Sequence, residues 1–178
     1  MKLDKKQIEA LKKVLSNDFF NLIVGMVDKT TFDVLLKLNE RLNDDEIFSM
    51  YIDGAADLNS KTAGIGGVIY KDNEELFTFS EYLNDSTNNE AEYTALIRGL
   101  EYLVEMKLLN VQIFSDSELV VKQINGEYKV KNSRMILLNQ KASSLFSQLE
   151  EWSFTHVLRE KNKVADKLAG EGRSKGKK

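Results

Sequence analysis

Apolar residues recur at two different periods along this chain, and the period changes near residue 48. Before that point Ile8, Leu11 and Leu15, and later Phe32, Leu35, Leu36, Leu38 and Leu42, recur at the spacing of a helical face. Residues 1–48 are therefore predicted to be helical, with Thr30 or Thr31 capping the last helix. Beyond it, residues 48–55, 64–71 and 75–83 are rich in β-branched and aromatic side chains. Gly64, Gly66 and Gly67 open the second run, and Lys71-Asp72-Asn73-Glu74 reads as a hairpin turn. Three antiparallel strands follow from this pattern.

The helical period then returns over residues 88–107, where Thr87 and Glu90 have capping-box spacing. Glu92, Ala95, Leu96, Gly99 and Leu103 share one face of that helix, and Gly99 permits a close approach to a sheet. Residues 110–115 read as a buried strand, with Asp116 or Ser117 capping the helix after it. A helix over 133–150, a strand from Trp152 to Leu158 and a last helix capped by Asn162 and running toward Gly170 complete the order. The sequence β-β-β-α-β-α-α-β-α implies an α/β fold, a mixed sheet with helices on its faces. The chain divides into a helical N-terminal appendage over 1–47, one α/β domain over 48–172 and a basic tail over 173–178.

Composition narrows the function classes. The 178 residues are 42% apolar, enough for one ordinary core and a small appendage. Cysteine is absent, which excludes disulfides, thiolate metal sites and cysteine nucleophiles and agrees with a reducing cytosol. A net charge of −3 gives no global attraction for a polyanion, so any nucleic-acid contact rests on local patches. The run from Phe19 to Val27 superficially resembles a signal sequence, but Asn21 interrupts it and no small-x-small site follows. A buried helix is the expectation there, with no membrane span and cytoplasmic residence.

Four acids stand in telling contexts. In Met50-Tyr51-Ile52-Asp53-Gly54-Ala55-Ala56 an apolar strand pattern runs directly into Asp53. A carboxylate in a sheet is costly unless a cation or hydrogen bonds compensate it, so the position points to metal chemistry. Glu92, Asp116 and Asp166 follow in Asn88-Asn89-Glu90-Ala91-Glu92, Ile113-Phe114-Ser115-Asp116-Ser117 and Asn162-Lys163-Val164-Ala165-Asp166. Glu90 lies about 200° around the helix from Glu92, so the two are not interchangeable ligands.

These motifs resemble those of type 1 ribonuclease H, a metal-dependent nuclease family that cuts the RNA strand of RNA/DNA hybrids. The resemblance covers residues 48–172. It rests on Tyr51-Ile52-Asp53-Gly54-Ala55, Ala63-Gly64-Ile65-Gly66-Gly67-Val68, Thr87 to Leu96, Ser115-Asp116-Ser117-Glu118-Leu119-Val120 and Asn162 to Ala169. It implies a five-stranded mixed sheet with three antiparallel strands followed by two parallel ones. It also implies a catalytic, metal-binding tetrad of Asp53, Glu92, Asp116 and Asp166 holding two Mg²⁺ (or Mn²⁺) ions roughly 4 Å apart. Asp53 would bridge both ions, with Glu92 and Asp116 on one and Asp166 on the other. The expected products carry 5′-phosphate and 3′-hydroxyl ends.

The same resemblance implies substrate contacts from Asn59, Thr87, Asn88 and Asn89, residue types that also serve as caps and turn formers. The chain departs from many relatives in three places. The loop Asp57-Leu58-Asn59-Ser60-Lys61-Thr62 lacks the usual Gly-Asn-Pro-Gly run, Glu118 stands where many have Gln, and the loop before Asp166 is shortened to Arg159-Glu160-Lys161 without its His. Arg159 is the expected fixed cation beside a phosphate, and the single histidine, His156, reads as a structural strand residue. Lys122, Lys129, Lys131, Arg134 and Lys141 form a basic region suited to a hybrid backbone or to a solvated face, and Arg173, Lys175, Lys177 and Lys178 read as a frayed tail. Two alternatives stay open: a non-catalytic nucleic-acid-binding module, and a nuclease acting on another nucleic acid such as duplex RNA. Residues 1–47 are read as a packing cover, a protein-docking site or a self-association element.

Overall fold

In a computed structural model, which describes residues 5–43 and 47–176, the strand-patterned segments form one five-stranded mixed sheet. Its strands are β1 (Phe48–Asp57), β2 (Thr62–Lys71), β3 (Glu74–Asn84), β4 (Asn110–Ser115) and β5 (Glu151–His156), in spatial order β3-β2-β1-β4-β5. The first three pair antiparallel; β4 runs parallel to β1, and β5 parallel to β4. The helices of this part are α4 (Asn88–Glu105), α5 (Glu118–Ile124), α6 (Ser133–Phe146) and α7 (Lys163–Ser174). The α/β order and strand directions are those read from the sequence.

The chain separates into two compact units, Met1–Glu46 and Ile47–Lys178. In the second, α4 is buried around most of its circumference, as a helix packed between a sheet and other helices must be. It lies on β1 and β2 and on α6, with Met50, Ile52, Ala95, Leu96, Leu100 and Leu103 in one core. On the other face α7 crosses β1, β2 and β3. Its closeness there depends on Gly66: a Cβ at that position would stand 2.3 Å from the Ala169 nitrogen. Because paired residues share a face, Asp53, which pairs with Gly66, belongs to the α7 side of the sheet.

The first unit contains α1 (Lys5–Val14), α2 (Asn17–Ile23) and α3 (Lys29–Asn43) around Leu15 and Phe20, with Ile8, Leu11, Ile23, Phe32, Leu35 and Leu38 packed against them. The run after Phe19 is only partly a buried helix: α2 ends at Ile23, and Leu22, Val24 and Met26 are exposed. Asp28, not Thr30 or Thr31, caps α3, accepting from the Thr31 amide at 3.0 Å and the Thr31 hydroxyl at 2.6 Å. The ionised carboxylate outcompetes the hydroxyls for the free amide.

Other boundaries move for identifiable reasons. α6 stops at Phe146, and β5 ends at His156, after which the Val157 amide bonds Ser115 O and a 3-10 turn forms over Arg159–Lys161. α7 extends to Ser174, so Arg173 lies within a packed helix beside Gly64, and Lys175 Nζ donates to Ser80 O. These two residues do not form a frayed tail, and Lys177 and Lys178 lie outside the described residues. Neither Ser117 nor Asn162 makes a side-chain cap: the Ser117 amide turns back to Ser115 Oγ, and the Asn162 side chain is committed elsewhere.

Candidate metal centre and nucleic-acid interface

Asp53, Glu92 and Asp116 converge from β1, α4 and the residue just after β4, each with a carboxylate oxygen within 4.8 Å of the others. The convergence has a steric origin at Gly54. A Cβ there would stand 2.3 Å from the Ala91 carbonyl carbon and from the Glu92 nitrogen, so only glycine lets the first turn of α4 touch β1. Thr87 fixes the start of that turn: Thr87 N–H donates to Glu90 Oε2 at 2.8 Å, and Glu90 N–H donates to Thr87 Oγ1 at 3.3 Å. Asn88 Oδ1 accepts from the Ala56 amide at 3.2 Å and ties the helix to the strand.

In the cluster, burial and like charge outweigh the compensation that neighbouring groups supply. Burial, then the neighbouring Asp116 and Asp166 carboxylates, push the Asp53 carboxyl up to about 7, against the opposing effect of Arg159. Burial, then Asp53 and Asp116, push Glu92 up to about 9. Both residues are 5% exposed, and Glu92 Oε2 is buried without a hydrogen-bond partner. Converging oxygen donors, mutual repulsion and an orphaned carboxylate oxygen fit a hard divalent cation.

Asp166 is not among the three converging acids. It lies on the first turn of α7, and its Oδ1 accepts from Arg159 Nε at 3.1 Å and from Arg159 Nη2. Its charge reaches Asp53 electrostatically, while its hydrogen bonds belong to Arg159. Asn162 was missed as part of this centre. Its Nδ2 donates to Asp116 Oδ1 at 2.8 Å and to Ile52 O at 2.9 Å, and the residue is 1% exposed. Its signal in the sequence is its place at the head of the Asn162 to Ala169 motif, four residues before Asp166, and the ordinary capping role of Asn absorbs that signal.

The residues expected to meet substrate lie in two places. Thr87 and Asn89 line a cavity of about 420 Å³ with Glu90, Lys129, Lys131 and Arg134. Asn59 sits apart, on the exposed turn joining β1 to β2, where its amide bonds Asp57 Oδ1 at 3.0 Å. Three of the five basic residues are neutralised locally: Lys122 by Glu118, Arg134 by Glu90 and Lys141 by Glu101. Lys129 and Lys131 have no ion pair among the described residues. Glu118, paired with Lys122 at 2.6 Å, is correspondingly less repulsive to a phosphate than an isolated carboxylate. His156 is exposed at the end of β5, paired in register with Ser115.

The sheet order, the helix on each face and the carboxylate cluster together define an RNase H-like domain. A family model described as Reverse transcriptase-like matches residues 51–172. The chain is 34% identical over 122 residues to ribonuclease HI of Halobacterium salinarum, covering 68% of this chain and 61% of that protein. A bifunctional protein of Mycobacterium tuberculosis is 34% identical over 121 residues, covering 67% of this chain and 33% of that one. Among solved structures, LC11-RNase H1 in complex with RNA/DNA hybrid superposes with a TM-score of 0.69 at 38% identity, covering 74% of this chain and 99% of the other. The chain belongs to the type 1 ribonuclease H family. It spans less than two thirds of the length of the two sequence relatives named.

Proposed function

We propose that this protein is a divalent-metal-dependent endoribonuclease that hydrolyses the RNA strand of RNA/DNA hybrids, leaving 5′-phosphate and 3′-hydroxyl ends. The observation that carries the reading is the convergence of Asp53, Glu92 and Asp116 within 4.8 Å. With Asp166, these residues would hold two Mg²⁺ or Mn²⁺ ions. Bound there, the ions supply a water nucleophilic at neutral pH and offset charge developing on the phosphate oxygens.

The remaining roles belong to the chain's own groups. Thr87, Asn89, Lys129 and Lys131 line a cavity suited to one strand's phosphates, and Asn59 and Asn88 offer polar contacts to the hybrid. Arg159, held on Asp166, brings a permanent positive charge beside the attacked phosphate. The hybrid bound by LC11-RNase H1 supports this substrate class. No helix among the described residues is long and apolar enough to cross a membrane, and the cysteine-free chain suits the cytoplasm. Residues 47–176 carry the chemistry in this reading, and the N-terminal unit serves a protein partner or self-association.

The test is cleavage of end-labelled RNA/DNA hybrid, duplex RNA, single-stranded RNA and duplex DNA of one sequence, with Mg²⁺, with Mn²⁺ and with chelator. Metal-dependent cuts confined to the RNA of the hybrid are expected. Binding without cleavage would identify a non-catalytic module, and preferential cutting of duplex RNA would replace the substrate.

A further inference from the structure

The parallel ladder between β1 and β4 runs from the Phe48/Val111 pair to the Tyr51/Phe114 pair and then stops, although β1 continues to Asp57. Asn162 sits in the fork where the strands part. Its Nδ2 gives Ile52 O the hydrogen bond that strand pairing no longer supplies, at 2.9 Å, and reaches Asp116 Oδ1 at 2.8 Å. The main-chain oxygen of Asn162 accepts from the Asp166 amide at 3.0 Å. One residue thus touches the main chain beside Asp53, the carboxylate of Asp116 and the main chain of Asp166.

The residue type matters. A primary amide carries two hydrogens on one nitrogen, and both are used here. A hydroxyl offers one, and a carboxylate offers none while adding a like charge against Asp116. The side chain makes no capping bond to α7, and its Oδ1 is buried without a partner. Burying the unpartnered Oδ1 is a cost to folding, against which stand the two bonds that Nδ2 donates.

We infer that Asn162 is a positioning residue, which fixes the orientation of the Asp116 carboxylate and the placement of β1 against α7 for cation binding. The inference rests on the function proposed above, because it assigns the same carboxylates to a metal. Removing such a support typically weakens metal affinity or activity by roughly 10–100-fold.

The experiment is a calorimetric titration of Mn²⁺ into wild type and Asn162→Ala, each checked for folding by circular dichroism, beside hybrid cleavage as a function of Mn²⁺. The expected result is a weaker calorimetric Kd in the variant by about 10-fold or more. A parallel rise in the Mn²⁺ needed for half-maximal rate, with an unchanged KM for hybrid at saturating metal, is expected alongside it. A folded Asn162→Ala protein with wild-type Mn²⁺ affinity overturns the inference. If Asn162→Ala does not fold, Asn162→Ser, which keeps one donor, carries the test on the same criteria. A wild type that binds Mn²⁺ but cuts no hybrid removes the proposed function and leaves the calorimetric comparison to decide the role of Asn162. A wild type that binds no Mn²⁺ overturns both.

Discussion

Arg134 Nη1 lies 2.9 Å from Glu90 Oε1, while Glu90 Oε2 accepts from both the amide and the hydroxyl of Thr87. One carboxylate therefore joins the start of α6 to the start of α4 and cancels a cation in the cavity shared with Lys129 and Lys131.

Glu90→Gln should cost about 0.5–2 kcal/mol through the weakened cap. It should also release Arg134, steepening the dependence of log K on log salt for hybrid binding by about 0.9. Thermal melts and fluorescence anisotropy across a salt series, without divalent metal, read both effects. Glu92→Gln, two residues on but facing the cluster, should instead lower the cleavage rate by about 100-fold or more. A rate loss that followed Glu90 and spared Glu92 would reverse the assignment of these two residues.

Asp53→Asn should abolish cleavage with the fold retained, because a neutral amide of nearly the same shape cannot replace the carboxylate that would hold the cations in the proposed function. The same change should stabilise the metal-free protein. Asp53 and Glu92 are raised to about 7 and about 9, so their contribution to stability is fully present below the ordinary carboxylate range and is lost as pH rises through those values. Melts in chelator should show the variant above wild type by roughly 2–6 °C near pH 8, with the gap closing toward about pH 5. Saturating Mg²⁺ should restore the wild type selectively. Equal pH profiles for the two proteins would mean that Asp53 is not burdened by its neighbours.

Arg159→Ala should lower kcat by about 10-fold or more, since it removes the guanidinium bonded to Asp166 and, with it, the positive charge proposed to face the phosphate. His156→Ala should retain most activity, because its ring is exposed at the end of β5. A pH–rate profile at saturating Mg²⁺ should therefore show no inflection that disappears with His156. Collapse of activity in folded His156→Ala, with Arg159→Ala unaffected, would exchange the two roles.

The sheet was legible because β-branched and aromatic runs alternate with turn residues, and α4 because Thr87 and Glu90 mark its start within an apolar period. Asp53, Glu92 and Asp116 were legible from local context, each acid following an apolar or capping motif. Asn162 was not: an Asn before a helix is a cap by every local rule, and the groups that claim it, Ile52 O and Asp116 Oδ1, are remote in sequence. The Arg159 contact with Asp166 is hidden for a similar reason: by sequence an Arg before the last acid suits a phosphate as well as a neighbouring carboxylate seven residues on. At α3, Asp28, Thr30 and Thr31 crowd one boundary, and only the observed bonds identify Asp28 as the cap.

The placement of α7 across β1, β2 and β3 carries a consequence for the order of events at the ribosome. The strands it covers are made early, yet their glycine-lined face at Gly64 and Gly66 waits for a helix that begins at Lys163. A nascent chain lacking that helix has neither a closed second face nor Asp166. Such an intermediate exposes sheet surface to unwanted association until translation reaches α7, and under the proposed function it gains the fourth acid of the metal site only afterward.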